Sequence, residues 1–263
     1  MTCPADFEAI AWGLEFEALS RIDVVLPVYN EERVLERSVR TLHLFLTDNL
    51  AHEWRILIAD NGSQDRTQEI GKALAAELAN VELMHVPEAG RGRALTRAWL
   101  ASDADVLTYM DIDLSTDLAA FPKLVSAVAG GGFDVAAGSR LSAESETTRR
   151  LKREVLSRGY VLIINTLMGT RLRDTQCGFK AIRRECAQKL LPSVQDTGWF
   201  WDTELLLLAA KGGWAVTFVP VRWLEDTDSR VRIASTVWKD LKGLFRMRRF
   251  DWSKARKTAK SAG

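Results

Sequence analysis

Cysteine is scarce: Cys3, Cys177 and Cys186 are the only three in 263 residues. An odd, widely scattered set offers no metal-ligand spacing and fits a reduced, cytosolic setting. Long apolar runs are missing as well. A spanning helix needs roughly 18–20 apolar residues. The nearest stretches are residues 161–168, broken by Asn165 and Thr166, and residues 205–210. An integral membrane protein is therefore not expected. The first 21 residues lack a basic start and carry Asp6, Glu8, Glu15 and Glu17, which argues against a signal peptide. Net charge is nearly absent at +1, which disfavours a generic nucleic-acid binder. No internal repeat, low-complexity tract or interdomain linker is visible.

What is present is uneven. From Arg230 onward there are eleven Lys or Arg against two Asp, about +9, so the remaining chain is acidic at about −8. An apolar content of 47% fills a sizeable core. Strand-like and helix-like segments alternate through the first half. Residues 22–27 (IDVVLP), 54–59 (WRILIA), 81–86 and 105–110 read as strands, and 31–49, 65–78 and 93–102 as helices. Alternation of this length implies right-handed crossovers and a parallel sheet with helices on both faces. The second half is less regular. Strands are expected at 135–138, 179–182 and 215–221, helices at 152–168 and 201–211, and a polar loop at 141–150.

Ligands of such sheets bind at the carboxyl ends of the strands. Three polar clusters fall there: Pro27-Val28-Tyr29-Asn30-Glu31, Asp60-Asn61-Gly62-Ser63 and Asp111-Ile112-Asp113. Each alone is ordinary turn or helix-start chemistry. Asp111 and Asp113, one residue apart at a strand end, are expected to share a face and hold one hard cation, Mg2+ or Mn2+. Such an ion completes its shell with substrate phosphates, so a nucleotide-bearing substrate is implied.

PVYNEE (27–32), DNGSQD (60–65), GRGRA (90–94), DIDLS (111–115) and GSR (138–140) together resemble family 2 glycosyltransferases with a GT-A, Rossmann-like α/β fold. KREVLSRG (152–159) and DTQCGFKAIRR (174–184) are similar to the polyprenyl-phosphate sugar transferases, which include dolichyl-phosphate glucose and mannose synthases. The resemblance implies a nucleoside pocket lined by Pro27, Tyr29 and Glu31, with Asp60 reaching the base. It implies metal on Asp111 and Asp113, and Arg91 against the diphosphate, where lysine is commoner. Arg140, Arg153 and Ser157 match the positions that grip the acceptor phosphate; Arg153 and Ser157, four apart, share a helix face. Two departures stand out. The late basic motif survives only as Asp228-Ser229-Arg230, leaving Arg230 as its one phosphate contact, and Asn61 replaces the commoner second acid.

The expected reaction is a direct displacement that inverts the anomeric centre, from UDP-glucose ahead of GDP-mannose, onto a polyprenyl phosphate. Asp174 could face the sugar. Asp202 and Glu204 stand open between helix capping and the catalytic acid of hydroxyl-acceptor transferases. The competing readings are a saccharide or glycolipid hydroxyl acceptor, and a non-catalytic nucleotide-sugar-binding scaffold on membranes. Residues 1–229 read as the catalytic domain and 230–263 as a basic amphipathic tail. In that tail Ala234, Val237, Trp238, Leu241, Leu244 and Phe245 recur at helical intervals among Lys239, Lys242, Arg246 and Arg249. A cytoplasmic chain lying peripherally on the inner, anionic face of a membrane is expected, with an integral membrane partner.

Overall fold

The computed structural model describes residues 19–148, 151–224 and 233–257, with side chains excepted at 148, 151–153 and 233–239. Cys3 and Arg230 lie outside the described residues, as does the side chain of Arg153. The first half runs β1 (Arg21–Val28), α1 (Leu35–Asn49), β2 (Glu53–Asp60), α2 (Thr67–Glu77), β3 (Val81–His85), α3 (Arg91–Ala101) and β4 (Val106–Met110). Then follow α4 (Phe121–Ala129), β5 (Val135–Ser139), β6 (Thr147–Thr148), α5 (Leu151–Met168), β7 (Phe179–Arg183), α6 (Arg184–Leu190), α7 (Trp201–Gly212), β8 (Val216–Pro220), β9 (Trp223–Leu224) and α8 (Ile233–Arg248).

Seven strands form one sheet in the order β3-β2-β1-β4-β7-β5-β8, and β6 pairs with β9 beside it. Strand alternation divides the apolar residues between two faces. Val24, Leu26 and Val28 of β1 pack with Leu35, Val39, Leu42 and Leu46 of α1. Val25 instead meets Ala94, Leu95 and Ala98 of α3 and the wall built by α7. The sheet is buried on both faces, as continuous apolar strands require.

Only β7 runs antiparallel to its neighbours β4 and β5. That reversal starts β7 where β4 ends, so Gly178 sits beside Asp111, whose N–H donates to the Gly178 carbonyl at 3.0 Å. The start of α1 is later than expected from the sequence. Asn30 adopts a left-handed φ of 55°, and a turn from Glu31 to Val34 precedes the helix. Helices α4 and α6 were not evident from periodicity, and the polar loop contains β6.

Helix α8 is docked on the domain. Leu244 and Met247 enter the core, and a Cβ at Gly243 would come within 2.5 Å of the Phe200 ring. Phe245 points outward at 68% exposure. No helix among the described residues is long and apolar enough to cross a membrane.

Candidate active site

The acidic pair occupies the turn after β4 rather than the strand itself. Strand pairing ends at Met110, and the Leu114 N–H closes onto the Asp111 carbonyl at 3.1 Å with Leu114 at φ 52°. Strand alternation therefore does not set the aspect of these carboxylates; the turn does. Asp113 is exposed and accepts from the Ser115 N–H at 3.0 Å. The Asp111 carboxylate lies over Gly178, where an added Cβ would fall 1.8 Å from Oδ2. Only glycine leaves that carboxylate its place. Among the described residues no group of three or more His, Cys, Asp or Glu could enclose an ion. Two hard carboxylates, one of them in an open cradle, suit a cation that takes its other ligands from a substrate.

Beside Asp111 lies a buried charge network. Arg91 donates from Nη2 to Asp111 at 2.9 Å and from Nη1 to Asp202 at 2.6 Å. Asp202 also holds the Lys180 ammonium at 2.8 Å and accepts from the Tyr109 hydroxyl. Burial alone would raise the Asp202 pKa, but Lys180 and Arg91 hold it below the ordinary range. Burial pushes the Tyr109 phenol well up, reinforced by Asp202, so it stays a proton donor. Arg91 is stacked between the Tyr109 ring at 4.9 Å and Trp199 at 5.0 Å, and Trp199 is half-exposed at the rim. Asp202 thus neither caps α7, which has no side-chain cap, nor stands free.

A second pair follows. Arg140 donates from Nε and Nη2 to the two Asp174 oxygens at 2.8 and 2.9 Å. Burial works against ionisation of Asp174, yet Arg140 outweighs it and carries the pKa down to about 2. Asp174 is 1% exposed, and both its oxygens are engaged in orienting Arg140. The Arg140 guanidinium also lies over the Trp223 ring, 5.8 Å from its centroid. Glu204, the remaining acid on α7, pairs with Arg246 of α8 at 2.7 Å and accepts from the Asp196 N–H. Ser157 is half-buried on α5, one turn beyond Arg153. The outer face of α5 is an apolar stripe of Val155, Leu156, Leu162, Ile163 and Leu167, each 45–69% exposed. Its inner face buries Ile164 and Met168.

At the other end of the rim, Pro27 is buried in β1 and Tyr29 is exposed beyond it. Thr67 accepts from the Glu31 N–H at 2.8 Å, which ties the first loop to α2. Asp60 is fully buried and accepts from the Ser63 N–H at 3.1 Å and from His85 at 2.7 Å. Both Asp60 oxygens are thus engaged within the protein, with His85 on the more exposed side of the pair. Asn61 is likewise spent, on the Val28 carbonyl and the Gly90 N–H. Tyr109, Lys180, Trp199 and His85 were all missed in the sequence. A lysine within the apolar strand FKAIR and a tyrosine within VLTYM were the available signals.

A mostly parallel sheet whose carboxyl rim carries an acidic pair, a buried arginine and a further arginine site is the arrangement of a GT-A sugar transferase. The pattern of glycosyl transferase family 2 matches residues 23–191, and the chain belongs to that family. Glycosyltransferase AglD of Haloferax volcanii is 40% identical over 82% of this chain, which spans 35% of that protein. The dolichyl-phosphate beta-glucosyltransferase of Saccharomyces cerevisiae is 26% identical over 81% of the chain and 70% of its own length. ALG5C of Trichomonas vaginalis, named a dolichyl-phosphate beta-glucosyltransferase, is 29% identical over 81% of the chain, which covers 66% of it. Among solved structures, glucosyl-3-phosphoglycerate synthase of Mycobacterium tuberculosis superposes with a TM-score of 0.63 at 21% identity, covering 87% and 78% of the two chains. It was crystallised with Mn2+, UDP and phosphoglyceric acid.

Proposed function

We propose that this glycosyltransferase moves a hexose from a nucleoside diphosphate sugar to a polyprenyl phosphate, inverting the anomeric centre. The observation that carries the reading is that Asp174, Asp202 and Glu204 are each buried and each paired with Arg or Lys. A hydroxyl acceptor needs a free base to take its proton. A phosphate monoester has a second pKa near roughly 6 and arrives already ionised. The names of the relatives from Saccharomyces and Trichomonas support the same acceptor, and they favour glucose as the sugar.

In this reading an acceptor phosphate oxygen attacks the sugar C1 as the bond to the nucleoside diphosphate breaks, and no proton moves. Asp111 and Asp113 would hold Mg2+ or Mn2+, which when bound offsets the charge gathering on the departing diphosphate. Arg91 exchanges part of its hold on Asp111 for the diphosphate, and Asp202 and Trp199 keep its guanidinium at the rim. Arg140, oriented by Asp174, turns its guanidinium to the acceptor phosphate, joined by Ser157, Arg153 and Arg230. The work is positioning two anions, to which preorganised cations are suited. Pro27, Tyr29 and Glu31 line the nucleoside side. UDP-glucose is the favoured donor, ahead of GDP-mannose.

The apolar stripe of α5 lies on the helix that carries Ser157. It would rest on the membrane holding the polyprenyl chain, with the basic α8 against anionic headgroups. The protein then works peripherally on the inner face, residues 1–229 as catalyst and 230–263 as anchor, beside an integral partner. The test is a screen of purified protein with Mn2+ or Mg2+, a short polyprenyl phosphate and a set of nucleotide sugars, read by mass spectrometry. Lipid-linked sugar phosphate from one donor is expected. Sugar transfer to a saccharide, with no lipid product, would overturn the reading.

A further inference from the structure

We infer that His85 reads the base of the donor nucleotide and selects bases that present a ring N–H. The inference rests on the proposed diphosphate site at Asp111 and Asp113. A buried carboxylate can only accept hydrogen bonds. Asp60, 0% exposed, therefore requires that His85 Nδ1, 2.7 Å from its Oδ2, carry the proton. In the neutral ring that fixes Nε2 as a lone-pair acceptor. The side-chain amide of Gln68 on α2 lies 3.1 Å from the same nitrogen, and with the proton on Nδ1 it is the amide oxygen that must face the ring. Nε2 makes no hydrogen bond among the described residues, and the His85 side chain is 42% exposed.

Position agrees with this chemistry. His85 closes β3 and pairs with Asp60 at the end of β2. With the order β3-β2-β1-β4, it stands three strand spacings from the acidic pair. At about 4.8 Å per strand that is roughly 14 Å along the rim, the scale of an extended nucleoside diphosphate. Asp60 and Asn61 are buried and committed, so the imidazole is the outward ring at these two strand ends. Uracil N3 and guanine N1 carry hydrogen and can donate to Nε2. Cytosine N3 and adenine N1 are bare acceptors, and would set lone pair against lone pair. An unpaired polar contact of this kind discriminates strongly between otherwise similar ligands.

Calorimetric titration of the full chain with UDP, GDP, CDP and ADP in the presence of Mn2+ tests the inference. The wild type is expected to bind UDP or GDP at least about tenfold more tightly than CDP or ADP. His85→Ala should lose about tenfold for the favoured nucleotide, leave CDP unchanged and so erase the preference. A second readout needs no variant. The chain has three histidines, and in long-range proton–nitrogen spectra of the wild type the favoured nucleotide should shift Nε2 of His85 whereas CDP should not. Wild-type binding of UDP with the preference intact in His85→Ala, and no shift at Nε2, sinks this inference alone. Failure of the wild type to bind any nucleotide sinks the donor reading and this one together.

Discussion

At the scale of single residues, the site depends on contacts that no local pattern announces. Gly178 is the sharpest case. A methyl group there overlaps the Asp111 carboxylate, so Gly178→Ala should displace that carboxylate while leaving the sheet folded. Manganese binding followed by paramagnetic resonance is expected to weaken at least about tenfold, given the steep geometric demands of ligation. Unaltered manganese affinity would show that Asp111 is not a ligand. The acidic pair itself was legible, because two carboxylates after a buried strand are conspicuous. Its partners were not. Arg91 and Asp202 are 111 positions apart and meet only through the tertiary fold. Asp174 looked like a site acid because sequence shows charge but not pairing; Arg140 consumes it.

At the scale of elements, strands were easier to locate than to orient. Residues 179–182 read as a strand from β-branched and aromatic content, yet its antiparallel direction depends on where the preceding segment returns. The sequence starts the first helix at Glu31 because Asn30-Glu31 has the chemistry of an ordinary helix start, whereas Asn30 bends the chain left-handed and the helix begins at Leu35. Helix α5 is the element with the clearest unspent surface. Its stripe gives a test that spares the core: Leu162 is 67% exposed, so Leu162→Glu should not disturb folding. Sedimentation with anionic vesicles is expected to show weakened binding, while turnover of a short water-soluble acceptor persists. Full vesicle binding by the variant would remove α5 from the membrane-facing surface.

At the scale of the whole molecule, α8 is held by buried polar groups as well as by Leu244 and Met247. Asp240 on that helix is 3% exposed; Gln176 donates to one oxygen at 3.3 Å, and the other oxygen has no partner among the described residues. Burial raises its pKa to about 6. A carboxyl raised in the fold stabilises only while protonated. Its contribution is complete below the ordinary value near 3.8 and is lost as pH rises through about 6. Asp240→Asn keeps the neutral form at every pH. At pH 7.5 it should gain on the order of 1–2 kcal/mol, which for a chain of this size is roughly 3–6 °C in melting temperature. Below pH 4 the gain should vanish. Equal melting temperatures at pH 7.5 would mean that Asp240 is already neutral there or freely solvated.

The bridge from Arg91 to Asp202 joins the first half of the chain to the second. Arg91 belongs to the portion completed first, and Asp202 with Lys180 to the portion that arrives much later. Without α7 in place, Arg91 retains Asp111 but lacks Asp202, and Asp202 retains Lys180 but lacks Arg91. Charge balance is reached only when both have closed over Tyr109. The bridge is therefore a long-range staple as well as a contact of the rim: it ties the start of α3 to a helix residue 111 positions further on, so the surroundings of Asp111 are complete only when both halves of the chain are in place.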